Sequence, residues 1–313
     1  MKIITTNDGT KYKKPGIARR GAAVTTAGIA ASAIVLAPMT PVGRLYVNGV
    51  RNLNTNVDKN ELRAAIDEAL SSSNTGTKIL DFSNKKMKSL TPREIQKLYN
   101  DFLSQQEKNI PMKEFFNKLK ALNKKVTLKR VLAPFVNGNN AGFFSGKNRI
   151  FVNVDKFGTA VFHEIGHAIN YNSSPFWKVI QKMRVPLVYA PSAFLMVSLF
   201  KRKKLEGEEP KNGFDRATDF IKNNAGKLSM LAMVPVIAEE LKATLRGNKM
   251  ARKLCSPDLY KKVVKTNTLG AITYISAALL TGLSVYAAGK IKDSIAKPVK
   301  LMENPPPTPP RTK

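Results

Sequence analysis

Apolar positions along this chain gather into two long uncharged runs and two shorter ones, separated by regions of mixed polarity. Residues 21–43 carry no charge, and Ala, Val, Ile and Leu dominate between Arg20 and Arg44. Residues 266–289 are again uncharged, with Leu269, Ile272, Leu279, Leu280 and Val285 spread through them. Each long run can cross a hydrocarbon core of about 30 Å as a helix. The first reads as a retained membrane anchor. A signal peptide is the alternative, disfavoured by a long leader and no convincing cleavage site. The shorter runs, residues 185–200 and 228–238, fall below the ~20 residues that a crossing needs. Pro191 and Pro235 interrupt them, which favours a shallow or re-entrant pair over a full hairpin, with core helices as the alternative.

Between the anchor and residue 185 the pattern is that of a folded, water-soluble region. Leu62, Ala65, Ile66 and Leu70 recur at helical spacing and predict a helix over 58–71. Thr91-Pro92 supplies an N-cap and a proline at the first helical position, so a helix over 91–105 is expected. Another starts at Pro111 and carries Phe115, Phe116, Leu119 and Leu122. Strand signals follow at 126–131. Residues 141–144 and 149–154 then flank Ser145-Gly146-Lys147-Asn148, a hairpin loop. Residues 305–313 form a proline-rich tail.

Charge narrows the partners. The 313 residues hold 52 Lys+Arg against 22 Asp+Glu, a formal net charge of +30. No stretch interleaves these cations with aromatics as a base-stacking platform does, which disfavours nucleic acid. They cluster instead beside the apolar runs. Lys11, Lys13, Lys14, Arg19 and Arg20 precede the first, and Lys201, Arg202, Lys203 and Lys204 follow 185–200. That placement suits flanks facing an anionic cytoplasmic leaflet, so an anionic lipid membrane is the expected partner surface. The single cysteine, Cys255, excludes a disulfide framework and a cysteine-based zinc cluster.

Only two histidines occur, and both lie in His163-Glu164-Ile165-Gly166-His167. Residues i and i+4 share a helix face, so both imidazoles can reach one metal ion, while the intervening Glu can take a proton from a water there. Gly166 leaves room for close packing on the same helix. A catalytic zinc site needs a third protein ligand. With no third histidine it must be a carboxylate or, less favourably, Cys255. No acid lies between Glu164 and Glu206, and Glu206, Glu208 and Glu209 sit in a charged loop. Glu239 and Glu240 instead close an apolar run, where buried carboxylates need a partner. An exposed, solvated pair is the bland alternative.

The sequence resembles the gluzincin metallopeptidases, and within them the membrane family of the CAAX prenyl endopeptidase and the bacterial stress-induced membrane protease. Its hairpin strand, the HExxH sequence and Glu240-Leu241-Lys242-Ala243-Thr244 follow that family's pattern, except that Thr244 replaces the family's Asp. The resemblance covers residues 141–246. It implies His163, His167 and Glu240 as ligands to one Zn2+, with Glu164 as the catalytic base. Glu239 can exchange roles with Glu240, and Thr244 serves as an outer-shell hydroxyl. With no further histidine, Tyr171, Tyr189 or Arg246 is left to stabilise the oxyanion. The strand Ala141, Gly142, Phe143 and Phe144 would hold substrate by strand addition.

The expected architecture is α+β: a mostly helical, zincin-like metallopeptidase domain with a small antiparallel hairpin before the HExxH helix, plus membrane-associated helices. Its parts are a basic leader (1–20), an anchor (21–43), the metallopeptidase domain (44–255, with membrane-associated helices in 185–238), a C-terminal membrane helix (266–289) and a tail (290–313). The implied function is zinc-dependent endoproteolysis of peptide or membrane-protein substrates at a membrane, the bacterial cytoplasmic one by the resemblance. Two alternatives stand beside it: an inactive zinc-binding membrane scaffold, and a basic membrane or nucleic-acid interaction protein.

Overall fold

The computed structural model describes residues 3–85, 91, 93–94 and 132–301. The helix expected from Pro111, the strand at 126–131 and the tail at 305–313 lie outside them. Of the helix expected over 91–105 only its start is described. There Thr91 and Glu94 cap each other, Glu94 N–H donating to Thr91 Oγ1 (3.2 Å) and Thr91 N–H to Glu94 Oε2 (2.9 Å).

In chain order the described elements are β1 (Ile3–Thr5), β2 (Lys11–Lys13), α1 (Ile17–Thr55), α2 (Lys59–Ser72), β3 (Lys78–Asp81), β4 (Gly142–Phe144) and β5 (Arg149–Val152). A helical turn at Val154–Phe157 leads to α3 (Val161–Ser173), α4 (Pro175–Phe200), α5 (Gly213–Leu254), α6 (Pro257–Ile295) and β6 (Val299–Lys300). The described residues are mostly helical with two small sheets, and the chain divides into two compact units.

One unit comprises Met39–Val185 and Val234–Ser276. Its sheet has the order β3-β5-β4, with β5 parallel to β3 and antiparallel to β4. The β4–β5 hairpin matches the expected one, and Asn148 takes the left-handed backbone (φ 51°) that its turn requires. Strand β3 was not anticipated, because parallel pairing leaves no local turn signal. The helix α2 forms as its pattern predicts. Asp58 accepts from the N–H groups of Asn60 and Glu61, and Leu62, Ala65, Ile66 and Ala69 turn inward. They join Ile150 and Val152 of β5 and Val161, Phe162 and Ile165 of α3 in one core. Asn54, wholly buried, donates to Thr159 Oγ1 (2.7 Å) and accepts from Thr159 N–H (3.0 Å), fixing α1 against the entry to α3.

The other unit comprises Met1–Pro38, Pro186–Met233 and Ala277–Lys313. Its antiparallel sheet, β1-β2-β6, draws on both ends of the chain. The basic leader thus contains the β1–β2 hairpin. Gly9 (φ 81°) and Asp8, which accepts from Thr10 N–H (3.1 Å), make the turn of its hairpin. Ala27, Ala31, Leu199 and Ala288 pack α1, α4 and α6 together. Gly226 on α5 meets Gly282 on α6 so closely that a Cβ on Gly226 would lie 2.9 Å from the Gly282 carbonyl oxygen. Small residues of this kind let membrane helices approach each other.

Among the described residues three helices are long and apolar enough to cross a bilayer: α1 (39 residues), α4 (26) and α6 (39). The helices exceed the uncharged runs that signalled them. Residues 185–200, expected to be too short, form the second part of α4, which starts at Pro175 behind Ser174. Pro186 and Pro191 lie inside α4, and Pro235 inside α5, without ending either helix. Counting only uncharged residues misses such length, because Lys178, Lys182 and Arg184 continue the helix at its polar end.

Candidate metal centre

The helix α3 is buried along most of its length. Val161, Phe162, Ile165 and Ala168 are fully enclosed, and His163, Glu164 and His167 retain at most 9% of their exposure. Their spacing places both imidazoles on the face opposite α5. Two glycines bring the backbones together there. A Cβ on Gly166 would lie 2.0 Å from the Ala243 carbonyl oxygen, and one on Gly247 would lie 2.3 Å from that of Phe162. The approach carries Glu239 and Glu240 to the imidazoles. Each carboxylate side chain retains 2% of its exposure or less.

Three donor atoms converge. His163 Nε2 lies 3.0 Å from His167 Nε2 and 3.1 Å from Glu240 Oε2, and His167 Nε2 lies 3.4 Å from Glu240 Oε2. Ligands about 2.0–2.1 Å from a tetrahedral ion stand about 3.3 Å apart, so the triangle fits a metal of that size. His163, His167 and Glu240 form a buried group able to hold a metal ion.

The outer atoms of the ligands are also engaged. His163 Nδ1 meets Thr244 Oγ1 at 3.1 Å, and His167 Nδ1 meets Glu239 Oε1 at 2.9 Å. With Nδ1 bonded outward, each ring can present Nε2 inward, the arrangement that orients metal-binding histidines. Glu239 is itself held by Asn170 Nδ2 (2.8 Å) and Gln181 Nε2 (2.7 Å). Glu240 Oε1 pairs with Arg184. The structure thus separates the two acids: Glu240 faces the triangle and Glu239 braces His167.

Electrostatics favour a cation here. Burial opposes ionisation of Glu240, but His167, Arg184 and hydrogen bonds from both imidazoles outweigh it and hold its carboxyl well below the usual range. Burial likewise opposes a charge on His167, yet Glu239 and Glu240 raise its pKa well above the ordinary value. The buried carboxylates of Glu239 and Glu240 share one guanidinium, Arg184. A metal cation held there would offset negative charge that remains.

Glu164 Oε2 accepts from Phe143 N–H at 2.6 Å. Gly142 and Phe144 pair in register with Phe151 and Arg149, and β4 is the outer strand of that sheet among the described residues. The HExxH carboxylate therefore sits against the strand edge expected to hold substrate. Ala141, which precedes β4, is buried. His163 and Glu164 also line a cavity of about 170 Å3 together with Tyr46, Asn140 and Tyr274.

The residues expected to stabilise an oxyanion do not line this cavity. Tyr171 packs edge-on against Phe143 (6.1 Å) beneath the Lys178 ammonium (5.0 Å). Arg246 donates to Ser173 Oγ (2.9 Å). Tyr189 is exposed and belongs to the second unit. Tyr46 and Tyr274, which do line the cavity, were missed because each is a single phenol within a mostly apolar helix. Arg184 and Gln181 were missed because they read as the polar flank of an apolar run. No protein-family model, curated protein or solved structure matches this chain.

The close approach yields a direct test. Gly166→Ala raises helix propensity by about 1 kcal/mol, yet its methyl group meets backbone, which cannot swing aside. Overpacking of this kind costs about 1–3 kcal/mol. The expected outcome is a lower melting temperature together with weaker metal binding in a chelator competition. A variant with raised stability and unchanged affinity would show that the helices do not depend on this contact.

Proposed function

We propose that this chain is a membrane-associated zinc metalloendopeptidase of the gluzincin kind. One observation carries the reading: a buried His-His-Glu triangle lies beside a carboxylate that accepts from the backbone of β4. The donor set of two imidazoles and one carboxylate suits zinc and leaves a position for water. When bound, zinc supplies Lewis acidity, polarising a peptide carbonyl and lowering the pKa of the attacking water.

The remaining work falls to the chain's own groups. An extended substrate pairs with the outer side of β4 through the Phe143 carbonyl, the Phe143 N–H being held by Glu164, which aligns its scissile bond beside that carboxylate. Glu164 takes a proton from the attacking water and delivers it to the leaving amine nitrogen, so its carboxylate is restored at the end of the cycle. Tyr46 and Tyr274 offer phenol O–H donors within the cavity for the developing oxyanion. Thr244 and Glu239 keep the imidazoles oriented. The three apolar helices support action at a membrane, on peptides or membrane proteins that present an extended segment.

Chelation tests this reading. Casein cleavage by the full chain in detergent is expected to stop with 1,10-phenanthroline and to return when zinc is added in excess. Cleavage that persists with the metal removed contradicts it.

A further inference from the structure

The unit that holds both chain ends contains a second feature, separate from the metal centre. A cavity of about 1280 Å3 opens among the start of α1, the end of α4 with the loop after it, and the end of α6. That volume exceeds the ~300–1,000 Å3 of an ordinary small-ligand pocket. Eight of its lining residues are Lys or Arg, against Glu206 and Asp293.

Part of that charge is balanced within the protein. Lys204 pairs with Asp215 and Asp219 at 2.6 Å each, Arg202 with Glu208, and Lys292 with Asp293 at 2.9 Å. Lys14, Arg20, Lys203, Lys290 and Lys297 have no carboxylate partner among the described residues, although Lys290 lies 5.5 Å from the Tyr286 ring centre. Five like charges around one cavity repel each other, and an anion among them relieves that repulsion. Glu206 is the one acid on the wall left to oppose them.

The wall is not only basic. Ile17, Val24, Leu199 and Phe200 supply an apolar side, and Ile17 and Phe200 are 81% and 68% exposed. A free anion such as inorganic phosphate gains nothing from that side. An amphiphile covers both. The three candidate spans also bring their basic ends to this one place, as expected of helices ending at an anionic leaflet.

We propose that this cavity is a binding site for one anionic phospholipid. Arg20, Lys203 and Lys297 hold the headgroup phosphate, Arg20 through its forked guanidinium, and an acyl chain lies along Ile17, Val24 and Leu199. The site is independent of the metallopeptidase reading.

The test is native mass spectrometry of the full chain in a neutral maltoside, titrated with phosphatidylglycerol or phosphatidylcholine. Phosphatidylglycerol is expected to bind at least about tenfold more tightly. The triple variant Arg20→Gln, Lys203→Gln, Lys297→Gln is expected to lose that preference. A control triple, Arg252→Gln, Lys253→Gln, Lys261→Gln, removes equal charge from the other unit and is expected to keep it. Equal losses in the two triples overturn the proposal in favour of diffuse attraction. Competition by free glycerol 3-phosphate as strong as by the lipid also overturns it, in favour of a soluble anion site. Should the site triple melt early, the single exposed change Lys203→Glu takes its place with the same expected loss.

Discussion

Glu164→Gln is expected to lower peptide hydrolysis by roughly 10²–10⁴-fold while leaving zinc content and melting temperature near those of the wild type. Glutamine keeps the size of the side chain but offers no basic carboxylate to take the proton of the attacking water. Its amide oxygen can still accept from Phe143 N–H, the one bond that fixes this side chain to β4, so the fold has little reason to change. The loss should appear in kcat more than in KM, because the group acts in the transition state. Steady-state cleavage of a fluorogenic peptide, with metal analysis of the same preparation, measures both. Unchanged turnover would remove Glu164 from the mechanism.

The second large effect separates the adjacent acids. Glu240→Ala removes a donor atom of the triangle and leaves Arg184 without its closest carboxylate. Zinc affinity should therefore fall by more than the ~10–100-fold typical of an outer-shell partner. Leaving a buried charge unpaired costs a further ~3–5 kcal/mol of stability, less here because the Arg184 side chain keeps 35% of its exposure. Glu239→Gln keeps an oxygen toward His167 and should stay within the ~10–100-fold range. Competitive titration against a chromophoric chelator reads both. A greater loss at Glu239 would exchange the roles of the two residues.

The chemistry of the site was more legible in the sequence than its setting. His163 and His167 declare themselves because their spacing is that of one helix turn and no other histidine competes. The carboxylate partner followed from elimination, which left Glu239 and Glu240 together. Resolving that pair required the crossing of α3 and α5, set by Gly166 and Gly247 against facing backbone. No local pattern encodes a tertiary contact of that kind. The same limit applies to Arg184, whose charge looked like the border of an apolar run until α4 placed it against Glu240. It applies also to β3, whose partner β5 lies about 70 residues further along the chain. It applies to the leader as well, where Lys11 and Lys13 belong to β2, one of whose partners, β6, lies near the opposite end of the chain.

The central claim is that His163, His167 and Glu240 hold one metal ion. It is tested most directly by inductively coupled plasma mass spectrometry of the untagged full chain, loaded with zinc in detergent and then desalted. Wild type is expected to retain about one zinc per chain, and His163→Ala/His167→Ala almost none, because two of three protein ligands are gone. A wild type that retains no stoichiometric metal, or a double variant that retains as much as the wild type, would contradict the account.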